Sequence, residues 1–285
     1  MKLSLILATV GRSDEFGHMV SSLIEQTDPG FELLVVDQNP DERLAPHVAH
    51  ARAAGLHVQH LRLAQPSLAG ARNLGLSHAR GEVIAFPDDD CWYEPGTVAA
   101  VRAAFSAAPD LQGVVGCWVE QNASGGKPLV AGDLSLDAWR RFRGGDASSI
   151  SLFFRRELFD CLGGFDERFG VGQWYGAAEE TDFLLRALTA RARLMLRPEV
   201  RVHHIFGAPG PGTLSALFKA TRRRSRGTGA IYAKHHLSAA VILRGMVAPL
   251  ALPVLRRKGL SEFVRGAGTA LGRIEGYLSW HWSRE

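Results

Sequence analysis

Up to about residue 120, short apolar runs rich in branched side chains alternate with stretches whose apolar positions recur every three or four residues. "LSLILAT" (3–9), "ELLVVD" (32–37), "HVQHLRL" (57–63), "EVIAF" (82–86) and "QGVVGCWVE" (112–120) read as strands. Between them, Asp14–Gln26, Leu44–Ala54 and Ala69–Ala79 read as helices, and Pro95 opens a fourth that runs to Ala107. Continuous apolar strands separated by helices predict a mostly parallel α/β sheet covered by helices on its faces.

Past residue 120 the pattern is less regular. "NASGGKP" reads as a turn, and "SSISLFFRRELFDCLGGFDERFG" as a strand, a short helix and a glycine-rich loop. "GAAEETDFLLRALTARARL" reads as a helix with Phe183, Leu184, Ala187 and Leu188 toward the core, followed by the strands "RLMLRP" and "EVRVHH". After "GAPGPG" the chain changes character, with basic helical "LFKATRRRSRG" and then apolar "LSAAVILRGMVAPLALPVL". Arg244, Pro249 and Pro253 break the second stretch, and a spanning helix wants about 20 apolar residues. The division predicted is an α/β domain over 1–206 and a basic, largely helical extension over 207–285.

Ligands of parallel α/β sheets sit beyond the carboxyl ends of the strands. Thr9, Asp37 and the triplet Asp88, Asp89 and Asp90 all fall at such ends. Three adjacent carboxylates repel one another unless positive charge is placed among them. A divalent cation, Mn²⁺ or Mg²⁺, prefers oxygen ligands and shares carboxylates with substrate phosphates. The triplet is therefore expected to hold a metal and a diphosphate. Asp37, an acceptor at a strand end, suits an imide N–H of uracil or a donor of guanine.

Glu179, Glu180 and Asp182 open a helix. Acidic residues there complement the helix dipole, and one of them also suits a general base. The upstream loop, with Gly164 and Asp166, is expected to hold an acceptor, and Trp174 and Tyr175 to stack on a sugar. His203 and His204 close a strand and face opposite ways, so one of the two is turned toward a site on a given side.

Charge is uneven along the chain. Residues 207–285 carry 13 Lys/Arg against 3 Asp/Glu, a net +10, whereas the preceding residues carry a net −6. An anionic membrane or acceptor is the expected partner of the basic tail, and docking onto the protein's own body is the plainer alternative. "TRRRSR" lacks interleaved aromatics and any known module, so no nucleic acid is expected. Cys91, Cys117 and Cys161 are odd in number and far apart, and the apolar run Leu3–Val10 is short, so a reduced cytoplasmic location is expected, at the inner face of the membrane if the tail binds there.

In order and spacing, "SLILATVGR", "ELLVVDQNPDE", "LAGARNLGLSHARGEVIAFPDDDCWYEPG", "LGGFDERFG", "GAAEETDFLLRAL" and "RPEVRVHH" resemble the family 2 glycosyltransferases of GT-A fold, of the type that builds bacterial polysaccharides. The resemblance covers roughly residues 3–205. It implies an inverting transfer of a sugar, from a nucleotide-diphosphate donor (a UDP-sugar favoured) to a hydroxyl of a glycan or lipid-linked acceptor. It places Thr9, Asp37, Arg72 and Asn73 at the nucleotide, and Asp88–Asp90 at the DxD motif. Asp88 then lies toward the ribose or metal, Asp90 is a metal ligand, and His204 rather than His203 is the later metal ligand. The family commonly has Glu-Asp where this chain has Glu179-Glu180. By position Glu180 is the base, with Asp182 the alternative. Two other readings compete. A sugar-phosphate nucleotidylyltransferase would carry an N-terminal glycine-rich loop followed by Lys, and "ATVGRSDE" has one glycine and no lysine. A non-catalytic nucleotide-sugar- or carbohydrate-binding protein would draw support from the altered acidic motif.

Overall fold

The computed structural model describes residues 1–120, 130–143, 147–204 and 212–282. The expected turn at "NASGGKP" and most of the "GAPGPG" linker lie outside them. The chain begins β1 (Leu3–Thr9), α1 (Asp14–Ile24), β2 (Phe31–Asp37), α2 (Ala45–Ala53), β3 (Val58–Arg62), α3 (Leu68–His78) and β4 (Val83–Ala85). It continues through β5 (Cys91–Tyr93), α4 (Thr97–Ala107), β6 (Gly113–Trp118), β7 (Gly132–Asp133), α5 (Leu136–Arg140), β8 (Leu152–Arg155), α6 (Arg156–Leu162), α7 (Glu179–Thr189) and β9 (Leu194–His204). Three long helices follow, α8 (Leu214–Lys234), α9 (Ala239–Leu255) and α10 (Leu260–Trp282).

Among the described residues there is one nine-stranded sheet, ordered β3-β2-β1-β4-β8-β6-β9-β5 with β7 beside β9. Strands β3, β2, β1 and β4 are mutually parallel. Beyond them β8 runs antiparallel to both β4 and β6, and β5 antiparallel to β9. The parallel character therefore belongs to the first half, and the second half is mixed. Every residue of β2 is buried, as expected of a strand covered on both faces. Along β1, Leu5 and Leu7 join the core beneath α1, α2 and α4, while Ile6 joins the opposite core beneath α3, α6 and α7.

Two differences from the sequence pattern have physical reasons. The two strands expected around Pro198 are one strand, β9, whose pairing with β6 shifts register between Val115 and Cys117. Proline cannot donate to a ladder and is accommodated where the ladder is irregular. Pro95 lies before α4 rather than in it, and Cys91–Tyr93 forms the short strand β5, which the apolar pattern did not single out.

Helices α8 and α10 share the body's core, while Val241 of α9 joins a smaller cluster with Tyr232 and Leu237. Ala230, Ile231, Ala233 and Trp280 belong to the same buried cluster as Ile6, Phe86 and Phe183. No helix among the described residues is long and apolar enough to cross a membrane, and α9 carries Pro249 and Pro253 within it. Helices α8 and α10 meet backbone to backbone. A Cβ added to Gly272 would lie 2.2 Å from the Arg222 carbonyl oxygen, and one on Gly276 would lie 1.9 Å from that of Arg226. Because backbone cannot yield as a flexible side chain does, Gly276→Ala is expected to separate the helices and cost about 1–3 kcal/mol of stability. Chemical denaturation reads this directly, and an unchanged midpoint would contradict the close approach.

Candidate active site

Parallel pairing carries the strand ends to one edge. Thr9 lies in register with Asp37, and Asp37 in register with Arg62. Ala8 bridges Asp88, which brings the acidic triplet beside the end of β1. From the other half, β5 pairs with β9 so that Cys91 lies opposite His204 and Trp92 opposite His203. Asp88–Asp90 and His204 thus arrive from segments more than a hundred residues apart.

Each member of the triplet has its own partner. Asp88 Oδ1 accepts from Arg72 Nη2 at 3.1 Å. Asp89 is buried and accepts from the Thr9 hydroxyl at 2.6 Å and from Arg12 Nη1. Asp90 Oδ1 faces His204 Nε2 at 3.1 Å, while its Oδ2 lies 2.7 Å from Arg12 Nη1. Burial raises the pKa of Asp88 and Asp89 despite these cations. At Asp90 burial pulls the same way, but His204 and Arg12 outweigh it and hold the carboxyl below its usual range. The hydrogen bond that His204 donates to Asp90 raises the His204 pKa in turn.

Arg72 is buried and completes a bridge. Its Nη1 donates to Glu179 Oε1 at 2.9 Å while Nη2 holds Asp88, and its guanidinium lies over the rings of Phe86 and Phe165. Glu179 and Glu180 open α7 directly after Ala178, whose φ of +83° is left-handed for a residue bearing a Cβ. Burial, with the Glu179 charge beside it, pushes the Glu180 carboxyl up to about 8. This is the range of a group that accepts a proton near neutral pH.

Residues 4–163, more than half of the chain, match the family model described as glycosyl transferase family 2. The chain belongs to glycosyl transferase family 2. As a family 2 glycosyltransferase it has the GT-A fold of two groups of solved structures. Mannosyltransferase PcManGT from Pyrobaculum calidifontis, in complex with GDP-Man and Mn²⁺, aligns with a TM-score of 0.68 at 17% identity, over 100% of this chain and 88% of that one. S. aureus TarS 1-349, in complex with UDP-GlcNAc, aligns with a TM-score of 0.61 at 16% identity, over 95% of this chain and 90% of that one. No curated protein matches the glycosyltransferase in sequence.

Several expected site residues of this glycosyltransferase are engaged elsewhere. Asp182 is fully buried and bound by Arg186 at 3.0 Å, Lys234 at 2.8 Å and His235 at 2.8 Å, the last two from the end of α8 and the residue after it. Burial raises its pKa, but the hydrogen bond to His235 and the charges of Lys234 and Arg186 outweigh it and lower the carboxyl, and the contacts with Lys234 and His235 tie Asp182 to the end of α8. Asn73 clamps the 163–170 loop: its Nδ2 donates to the Phe165 carbonyl and to Glu167 at 2.9 Å each, and its Oδ1 accepts from Phe165 N at 2.8 Å. A Cβ on Gly164 would strike that same Asn73 oxygen, at 2.3 Å. Asp166 pairs with Arg168 and Lys234. Trp174 is exposed but holds Arg226 over its ring at 3.6 Å, and Tyr175 is buried. Thr9 and Asp89 brace each other. His203 stacks on Trp92 and bonds Glu94 and Glu120, which turns it away from the triplet.

Asp37 is buried and saturated. Its Oδ1 accepts twice from Asn39, at 2.9 and 2.8 Å, and its Oδ2 receives His60 at 2.9 Å and Arg62. Arg12, His60, Arg62 and Lys234 were not singled out from the sequence. Arg62 alone left a usable signal, since it ends a strand next to Asp37 in a parallel sheet.

For a divalent cation, Asp90 and His204 supply a carboxylate and an imidazole already face to face, with Asp88 two residues before Asp90. Among the described residues no cluster of three or more His, Cys, Asp or Glu is arranged to hold a metal ion by itself. The donor set fits an ion that shares its coordination with diphosphate oxygens and water. Replacing Arg72 by Met is expected to leave Glu179 buried without a cation and to cost about 3–5 kcal/mol. Denaturation at neutral pH is the check, and a loss under about 1 kcal/mol would show that the bridge carries little.

Proposed function

We propose that this glycosyltransferase moves a sugar, with inversion, from a nucleotide-diphosphate donor to a hydroxyl of a glycan or lipid-linked acceptor. The observation that carries the reading is the bridge Asp88–Arg72–Glu179. It ties the acidic triplet to a carboxylate pair whose second member, Glu180, has a raised proton affinity. Glu180 takes the proton from the acceptor hydroxyl as that oxygen bonds to the anomeric carbon. The bond from that carbon to the phosphate oxygen breaks on the opposite face, and its electron pair leaves with the nucleoside diphosphate. Asp90 and His204 would hold the Mn²⁺ or Mg²⁺, with Asp88 beside them. When bound, the ion offsets the negative charge of the diphosphate. Arg12 provides positive charge at the same carboxylates.

The two neighbours' complexes, one with GDP-Man and Mn²⁺ and the other with UDP-GlcNAc, support a nucleotide-sugar donor and a divalent ion. UDP-sugars come first in a donor panel and GDP-mannose second. Base recognition at Asp37 requires Arg62, which is 40% exposed, to release an oxygen, because the carboxylate has four donors already.

Glu180→Gln is expected to lower transfer by about 10²–10⁴-fold while leaving donor binding intact, measured by product release and by titration calorimetry. The wild-type rate should rise with pH as Glu180 loses its proton and level off above about 8. A glutamine variant with full turnover would remove the base from this assignment. Asp90→Ala should abolish the extra thermal stabilisation that Mn²⁺ adds to bound UDP, seen as a melting shift unchanged by the metal. If the shift persists, the ion is held elsewhere.

A further inference from the structure

Helix α10 has two contrasting faces. One, with Gly266, Gly268, Gly272 and Gly276, is buried against α8 and α9. The other carries Leu260, Phe263, Leu271, Ile274 and Leu278, all exposed. With the half-buried Ala267 included, these positions recur at steps of three and four residues, which lines them along one stripe. From Leu260 to Leu278 such a stripe is about 27 Å long. A run of uncovered apolar side chains of that length is unusual on a soluble surface and marks a contact.

The charge around it selects the partner. Arg256, Arg257 and Lys258 are exposed in the turn between α9 and α10, and Val254, Leu255, Leu260 and Phe263 flank them, also exposed. Residues 214–282 carry 12 Lys/Arg against two Asp/Glu. A second copy would set this charge against itself, whereas an anionic lipid surface complements it. An apolar stripe beside a basic cluster, on a helix that does not cross the bilayer, is the pattern of a helix lying in the interface.

The same helix touches the loop before the proposed base. Trp280 packs against Phe169 and Tyr175 at 5.5 and 5.6 Å between ring centroids, and the Ser279 hydroxyl donates to Tyr175 Oη at 3.3 Å. Three residues after Tyr175 come Ala178 and then Glu179-Glu180. We infer that the uncovered face of α10 and the basic α9–α10 turn lie on an anionic membrane surface, which sets the Glu180 side of the site beside a lipid-linked acceptor. The acceptor part of this inference rests on the proposed transferase reading; the docking part does not.

The test is flotation of the full-length protein with vesicles of neutral lipid alone and of neutral lipid plus about 30 mol % anionic lipid, without donor or metal. Binding to the anionic vesicles is expected. The double change Leu271→Asp with Ile274→Asp should lower partitioning by about tenfold or more, because each buries an apolar side chain in the interface. Arg256→Gln with Arg257→Gln should lower it on anionic vesicles. These side chains are exposed, so an unchanged melting temperature certifies folding. Failure of the wild type to float overturns the inference. So does equal flotation of the Leu271/Ile274 variant, or a wild-type dimer in gel filtration that this variant disperses while vesicle binding is absent. Donor hydrolysis in vesicle-free solution is measured alongside. If it is missing while flotation behaves as described, the catalytic assignment fails and the docking stands. If the aspartate variant hydrolyses donor normally but transfers no better to a lipid-linked than to a soluble acceptor, while the wild type prefers the former, the acceptor assignment stands too. A wild type with no such preference overturns it.

Discussion

One buried guanidinium joins the two acidic groups of this site. Arg72, on α3, is closed off from solvent and spans from Asp88 at the end of β4 to Glu179 at the start of α7. Five carboxylates, Asp88 to Asp90 with Glu179 and Glu180, are gathered in a buried to half-buried edge, and without cations among them their mutual repulsion would push protons onto them or push the strands apart. Arg12 and His204 neutralise the triplet from the outside, and among the described residues Arg72 is the cation paired with both acidic groups. Its flat group also lies against Phe86 and Phe165, so the apolar core holds its orientation.

The sheet explains why these groups meet at all. Four parallel strands bring Thr9, Asp37 and the triplet to one edge, a consequence of strand direction alone. The mixed half then returns β9 antiparallel to β5, so that His204 comes up against Asp90 while His203 turns to Trp92. Helix α7 adds the glutamates from the side. The active edge is thus built by topology first and by ion pairs second, and the ion pairs decide which carboxylates remain free to act.

Much of that was legible in the chain. The alternation of apolar runs and helical spacing marks the parallel half, and an acidic triplet after an apolar strand marks the edge. Side-chain alternation separates His203 from His204. What could not be read is partnership across long separations. Asp182 looks like one more acidic residue at a helix start, yet its partners Lys234 and His235 lie some fifty residues onward in an unrelated-looking tail. Asn73 sits in a segment that the family resemblance assigns to nucleotide, but its amide is spent on the backbone of Phe165. Strand β5 is three residues long and owes its existence to pairing with β9, not to its own pattern.

The pairing of Lys234 with both Asp166 and Asp182 bears on how the chain is to be divided. The boundary proposed near residue 206 separates regions of different composition, but a counter-ion shared by Asp166 and Asp182 resides on the far side of it. The loop around Asp166 and the helix bearing the proposed base are gripped by the same lysine. Any tilt of α8 is therefore felt at both at once, and the tail acts on the loop and the helix as one lever.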